Sequence, residues 1–289
     1  MKAVGVIGLG AMGAPMARNF HKHGLLHAVW NRSPQRAEAV ATETGARIAK
    51  SPADLARDCD FIVTCVSRDQ DVIDMATQLA QGIQPGAIVA DTSTVSAATA
   101  REAARLLKDK GAHFLDCPVS GGTEGAIKGT LAMMVGGDAE IFEKSRPMLS
   151  AIAGKVVHIG PTGSGQACKA VNQLMIAGVY EAVAEAIAFG QSLGLDMQRV
   201  VEVLSTGAAA NWVLTNRSAN MLNMDFPLGF KVALHHKDLE ICRAMARDAD
   251  GAVLPVAERM LDHYEELMRQ GYGDEDVSAV FRLKRGEHT

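Results

Sequence analysis

The hexapeptide Gly8-Leu9-Gly10-Ala11-Met12-Gly13 stands between a short apolar run, Lys2 to Ile7, and a segment of helical spacing from Ala14 to His23. Three glycines at this spacing, after a strand and before a helix, admit few folds. The first allows a tight turn, the second a close approach of a pyrophosphate to the backbone, and the third tight packing of helix on strand. N–H groups at the helix start would then face the phosphates. The chain is therefore expected to open with the first βαβ unit of a dinucleotide-binding sheet, Gly8 to Gly13 forming the cofactor loop.

The pattern downstream agrees. Leu26–Trp30 reads as a second strand, and Ser33-Pro34 supplies an N-cap and first position for another helix. Further apolar strands are expected at Phe61–Cys65, Ile88–Asp91, Phe114–Asp116, Met133–Val135 and Val156–Ile159. Helical or loop segments separate most of them, the alternation of a doubly wound α/β sheet. After Gly165 the strand signals stop. Gln166 to Leu193 is one long helical stretch, Asp196 caps a helix through Leu204, and helices are expected over about 233–248 and 255–270, the last opened by Pro255. The expected fold is thus α/β, an N-terminal Rossmann domain over 1–162 followed by an all-α domain over 163–289, with the long helix joining them.

Composition narrows the function. Lysine plus arginine number 29 against 33 acids, a net charge of −4 with the signs interspersed, so neither nucleic acid nor a membrane surface is expected as a partner. The cysteines (59, 65, 117, 168 and 242) are scattered, without a CxxC pair. That spacing argues for a reducing, cytoplasmic setting and against a disulfide framework or a metal site. The early glycines and Arg18 argue against a signal peptide, and no apolar run approaches the ~20 residues that span a bilayer.

An acid at the end of the second strand would bind the ribose hydroxyls of NAD. Here that point reads Trp30-Asn31-Arg32-Ser33, with no carboxylate. Arg32 can pair with a 2′-phosphate, with Asn31 and Ser33 adding neutral hydrogen bonds, so NADP(H) is expected and NAD(H) stays possible. The alternative is a solvated arginine beside a helix cap.

A second constellation lies downstream. In DCPVSGGTEGAIKGTLAMMVGG, Asp116 to Gly137, Ser120-Gly121-Gly122 offers a hydroxyl and backbone N–H groups suited to a carboxylate, although taken alone a plain tight turn is the better reading. In GPTGSGQACKAVNQLM, Lys169 and Asn172 are three apart and share a helix face, so ammonium and carboxamide can converge on one oxygen-bearing ligand. By itself a snorkelling surface lysine is the better reading of Lys169.

GLGAMGAPMARN, DTSTVS, DCPVSGGTEGAIKGTLAMMVGG, GSGQACKAVNQ and FKVALHHKDL occur in this order, and GDEDVSAV follows near the C-terminus. Together they resemble the β-hydroxyacid dehydrogenase family, which includes 3-hydroxyisobutyrate dehydrogenases, tartronate semialdehyde reductases and glyoxylate or succinic semialdehyde reductases. The resemblance implies a catalytic role for Lys169, a substrate-orienting role for Asn172 and a carboxylate-binding turn at Ser120, Gly121 and Gly122. It further implies Thr94 beside the nicotinamide, Lys237 at the cofactor and substrate site, and Phe230 as a wall nearby. Where the family often has Leu-Pro after the third clear strand, this chain has Val66-Ser67, in a loop implied to touch the cofactor. Asn31-Arg32 resembles the NADP-using reductase branch.

The implied reaction moves a hydride between NADP(H) and a small carboxylated aldehyde or β-hydroxy acid, glyoxylate or succinic, tartronate or methylmalonate semialdehyde among them. Lys169 would be the general acid and base. The alternatives are an NAD-linked 3-hydroxyisobutyrate-type dehydrogenase, 6-phosphogluconate-type decarboxylation, imine reduction and a non-catalytic cofactor-sensing or scaffold protein. The chain ends too early for the long helical domain of 6-phosphogluconate enzymes, and Lys169, Asn172 and the SGG turn together argue against a scaffold. Adjacent His235 and His236 diverge by about 100° on a helix and read as structural. Cys168 reads as packing, Glu265-Glu266 as a solvated face, and Trp212 as a pocket or core residue. The apolarity of the long helix implies a homodimer or homotetramer formed through the helical domain.

Overall fold

The computed structural model describes residues 3–249 and 252–285; Lys2, expected to start the first strand, lies outside them. The chain divides into two compact units, Met1–Lys169 and Ala170–Thr289.

In the first unit the order is β1 (Val4–Ile7), α1 (Gly13–Lys22), β2 (Leu26–Trp30), α2 (Pro34–Thr44), β3 (Arg47–Ile48), α3 (Pro52–Asp58), β4 (Phe61–Thr64) and α4 (Asp69–Leu79). There follow β5 (Ile88–Asp91), α5 (Ala97–Lys108), β6 (His113–Asp116), β7 (Val119–Ser120), α6 (Gly122–Lys128), β8 (Leu131–Gly136), α7 (Ala139–Leu149) and β9 (Ala153–Gly160). The strands run β3-β2-β1-β4-β5-β6 in parallel, the doubly wound order, and the direction of winding reverses between β1 and β4. Beyond β6, strand β8 pairs antiparallel with β6 and β7 and parallel with β9.

Every residue of β1, β4 and β5 is buried, which is why these strands read as unbroken apolar runs. Alternate side chains feed two cores. Val4, Val6, Val63 and Ile88 pack with Met16 and Phe20, whereas Ile7, Ile62 and Val89 pack with Leu55, Leu79 and Leu107. Each such side chain contributes ~1.5–3 kcal/mol on leaving water. Helices therefore cover both faces, and the strands' C-terminal ends stay open for loops.

Helix α8 (Ser164–Ser192) starts in the first unit and runs on into the second. After it come α9 (Met197–Leu204), α10 (Trp212–Leu222), α11 (Val232–Asp248), α12 (Pro255–Arg269) and a 3-10 segment over Val277–Lys284. Asp196 caps α9 as expected, its carboxylate accepting the Gln198 N–H at 3.1 Å. Tyr180 and Ile187 of α8 pack with Met221, Met260, Tyr264 and Phe281 in the core of this unit.

Two features depart from the sequence reading. Helix α8 is long and apolar enough, by length and composition, to cross a membrane, contrary to the expectation that no run approached that length. Its Glu181, which breaks the run, accepts from His263 at 3.1 Å and pairs with Lys284, bonds typical of a core helix. Trp212 is not a core residue: it is 54% exposed, with the Arg217 guanidinium 4.8 Å over its ring. It begins α10, whose cap is Asn211, accepting the Leu214 N–H at 2.8 Å.

Candidate active site

The loop after β1 has the backbone that its glycines permit. Gly8 sits at φ +90°, and a Cβ there would lie 2.1 Å from the Cys65 carbonyl oxygen. A Cβ on Gly13 would lie 1.8 Å from the Gly8 oxygen. Gly10 is different, because a Cβ there would meet only Arg36 Nη1, at 3.8 Å. The space over this turn is open, and α1 begins beneath it with no side chain capping Met12. Open room over the turn and a helix N-terminus beneath it fit a dinucleotide's pyrophosphate. The loop lies where the winding reverses, at the switch point of the sheet.

Asn31 braces this loop. Its Oδ1 accepts the Leu9 N–H at 2.8 Å and its Nδ2 donates to the Ser33 carbonyl at 3.0 Å. Ser33 holds the N-cap position of α2, but its hydroxyl makes no capping bond. The Arg32 side chain is 82% exposed and lies 3.6 Å from Asp71, which Arg68 also grips at 3.0 and 3.1 Å. The Arg68 hydrogen bonds hold the Asp71 carboxyl below the usual carboxylate range. Arg36, over the Gly10 turn, escaped the sequence reading. The signal was available: a cation in the first turn of α2, which has no acid there, opposes the helix dipole unless an anion joins it.

At the ends of β4, β5 and β6 lies a buried polar cluster that sequence reading also missed. Asp91 Oδ1 accepts from Thr64 Oγ1 at 2.6 Å and from Ser93 Oγ at 2.7 Å, while Ser93 Oγ accepts the Val66 N–H at 2.9 Å. Burial pushes the Asp91 carboxyl up to about 6; the Thr64 and Ser93 hydrogen bonds oppose the rise, and Asp116, its in-register neighbour, adds to it. Asp116 accepts the N–H groups of Gly163 at 2.8 Å and Gln166 at 2.9 Å; burial raises its carboxyl too, against those bonds. Gln166 donates to the Ser93 carbonyl at 2.8 Å and accepts the Val95 N–H at 3.2 Å, so it holds the backbone on both sides of Thr94. An acid closing an apolar strand, as in IVAD and HFLD, is costly to bury without such partners, and that cost is the sequence signal.

Ser120 ends β7, and Gly121 and Gly122 turn at φ 129° and 61° into the short α6. Lys169 lies one turn after Gln166 on α8 and is only 6% exposed, which removes the solvated-lysine alternative. The first unit thus holds the loop at 8–13, Asn31 to Ser33, Val66 and Thr94 at the C-terminal edge of its parallel strands, together with Ser120–Gly122 and Lys169.

Asn172, Phe230 and Lys237 belong to the second unit. Asn172 follows Lys169 by one helical turn and donates to Gln173 Oε1 at 2.8 Å. Gln173 donates to Asp238 Oδ2 at 2.7 Å, and Asp238 Oδ1 lies 2.9 Å from Lys237 Nζ. Gln173 and Asp238 are buried links absent from the sequence reading. Phe230 is held through its N–H by Asp276 at 2.9 Å. His235 is structural: fully buried, it bonds Tyr264 Oη at 2.8 Å and the Gln173 carbonyl at 3.2 Å. His236, Glu240 and Glu265 bring one ligand atom each within 4.8 Å of one another, with Glu240 paired to Arg243.

Residues 3–160 match the model of the NAD binding domain of 6-phosphogluconate dehydrogenase. Residues 163–284 match that of the NAD-binding region of NADP-dependent 3-hydroxyisobutyrate dehydrogenase. The chain is 38% identical to an oxidoreductase of Shewanella frigidimarina over 289 residues, 99% of either chain. It is 34% identical to the NAD-dependent L-serine dehydrogenase of Pseudomonas aeruginosa, over 98% of each. Among solved structures, the 3-hydroxyisobutyrate dehydrogenase of Mycobacterium tuberculosis with L-serine superposes at a TM-score of 0.89, with 32% identity, covering 99% of this chain and 100% of that one.

Proposed function

The chain belongs to the β-hydroxyacid dehydrogenase family, and on that premise we propose that it interconverts a small carboxylated aldehyde and the matching hydroxy acid, preferring NADP(H). It is a nicotinamide-dependent dehydrogenase acting on an alcohol carbon. In the proposal residues 1–162 bind the cofactor, and 163–289 complete the substrate site and mediate assembly. A reducing cytoplasm suits its five free cysteines.

The observation that carries this reading is Lys169, a buried lysine on a helix whose first turn is bonded to the ends of β5 and β6. The bound nicotinamide supplies or accepts the hydride. Lys169 Nζ delivers a proton to the substrate's carbonyl oxygen during reduction and takes it back from the alcohol during oxidation. Ser120 and the N–H groups of Gly121 and Gly122 hold the substrate carboxylate, and the Asn172 amide aligns the reacting oxygen. Gln173 and Asp238 orient Asn172 and Lys237 respectively.

One observation favours a second reading, NAD-linked oxidation of a 3-hydroxy acid of the L-serine type. Asp71 faces Arg32, and a 2′-phosphate would have to share that arginine with a carboxylate. The test is a panel of glyoxylate, succinic, tartronate and methylmalonate semialdehydes, 3-hydroxyisobutyrate and L-serine, with each cofactor, on the native chain and on Arg32→Ala. A charged hydrogen bond to phosphate is worth about 1.5–3 kcal/mol. Arg32→Ala should accordingly raise the NADPH KM by about 10–100-fold and leave the NADH KM nearly unchanged. Equal effects on both cofactors would remove the 2′-phosphate role.

The exposed face of α8 bears on assembly. Val171 and Met175 are 59% and 67% exposed one turn apart, and Phe189, with Leu193 just past the helix end, repeats the arrangement further along. We assign this face to a second copy of the chain, because apolar rows of this kind are characteristic of interfaces. Sedimentation should give two or four times the chain mass, and a lone 30.6 kDa species would refute it.

A further inference from the structure

Gln166 is 1% exposed, carries no charge and lies three residues before the proposed acid-base lysine. Its amide makes two bonds to backbone: Nε2 donates to the Ser93 carbonyl and Oε1 accepts the Val95 N–H. Those two groups flank Thr94. Its own N–H is held by Asp116 at the end of β6, which also takes the Gly163 N–H at the start of α8. Asp116 is an anion-forming group at a helix N-terminus, where the dipole favours it. Ser93 is fastened in turn to Asp91 and to the Val66 N–H. The first turn of α8 is therefore bonded to the loop after β5 and to the end of β6, and through Ser93 it is linked to the loop after β4.

We propose that Gln166 is a positioning residue for the reaction: it ties Lys169 and the loop around Thr94 into one frame, so that the proton donor keeps a fixed place relative to the cofactor-facing loop. This rests on Lys169 being the proton donor. A neutral amide meets both demands at once, one donor and one acceptor. Ionised glutamate lacks the donor that Ser93 O needs, and methionine lacks both bonds, although either side chain would fill the space. The role concerns geometry and not affinity, because Gln166 spends its hydrogen bonds on backbone and touches the reaction through Lys169.

Proton and hydride must move to neighbouring atoms of one carbonyl, so a donor displaced by about 1 Å loses about 10²-fold in rate. Gln166→Met should accordingly lower kcat by about 10–100-fold, measured as nicotinamide oxidation with the panel carbonyl that turns over fastest. Substrate KM and cofactor Kd should stay within about threefold, the pattern of a contribution made only in the transition state. The deciding measurement is a double-mutant cycle with Lys169→Ala on single-turnover rates. If Gln166 acts through the lysine, adding Gln166→Met to Lys169→Ala changes the residual rate by less than about twofold.

The same fold-loss in both backgrounds, or a loss expressed in KM or Kd, would overturn the inference. A Lys169→Ala enzyme of near-native rate would instead sink the proton-donor reading, and this inference with it. Should Gln166→Met not fold, Asp116→Asn reads the other leg of the frame. It keeps the volume and one acceptor, and the same non-additive loss is expected. Additive loss there counts against the frame.

Discussion

Lys169→Ala is expected to lower kcat by about 10²–10⁴-fold, the range for removal of a positioned general acid. NADPH should still bind with near-native affinity, because the groups proposed to hold it, the loop at 8–13, Asn31 to Ser33, Val66, Thr94 and Lys237, do not include Lys169. A lysine held 6% exposed has given up most of its hydration, and a chain keeps such a residue when a partner or a reaction requires it. The first turn of its helix is bonded by Asp116 and Gln166 to the strand ends, so Lys169 has little freedom to leave its place. During reduction negative charge grows on a carbonyl oxygen, and the ammonium group both stabilises that charge and removes it by proton transfer. Alanine leaves water as the only donor. Rapid-quench and steady-state rates, with fluorescence titration of NADPH, separate chemistry from binding. A variant retaining more than about a tenth of the native kcat would refute a general-acid role.

The fold was readable because its signals are periodic and local. Gly8, Gly10 and Gly13 announce the first turn, and β1, β4 and β5 announce themselves as strands buried on both faces. Two-residue strands such as β3 and β7 give no periodicity to detect, since their pairing is set by neighbours across the sheet. Helix α10 was hidden for another reason: its apolar residues form a weak stripe, and Asn211 is a common loop residue as well as a cap.

The site divides the same way. Lys169, Asn172 and Ser120–Gly122 stand in recognisable motifs, but their supporting residues do not. Asp91, Asp116 and Gln166 are meaningful only when residues 27 to 73 positions apart come together, as the Asp91 bond to Thr64 and the Gln166 bonds to Asp116 and Ser93 show. Asn31 illustrates the limit from the other side. Its place in the sequence suggests a ligand contact, and its side chain also bonds Leu9 and Ser33, which shapes the loop.

Gly13→Ala and Gly10→Ala should fail in different ways, and the difference tests whether the loop holds a pyrophosphate. A methyl on Gly13 would lie 1.8 Å from the Gly8 oxygen and 3.0 Å from its carbon. Alanine gains ~1 kcal/mol over glycine in helix propensity, which is too little against overlap with a backbone carbonyl. The turn cannot easily retreat, since Gly8 donates to the Trp30 carbonyl at 3.0 Å and is packed against Cys65. Overpacking of this kind costs ~1–3 kcal/mol or more, so a lowered Tm is expected. Displacing the start of α1 also misaligns its N–H groups, and at ~1.5–3 kcal/mol per charge-assisted bond two lost bonds weaken NADPH binding by about 10²-fold or more. Gly10→Ala adds its methyl where the protein offers only Arg36 Nη1, at 3.8 Å, and Gly10 has no positive φ to strain. The ligand-free protein should keep its Tm while NADPH affinity falls, because the methyl takes the room that a phosphate would need. Native NADPH affinity in Gly10→Ala would mean that the pyrophosphate lies elsewhere, whatever Gly13→Ala does to stability.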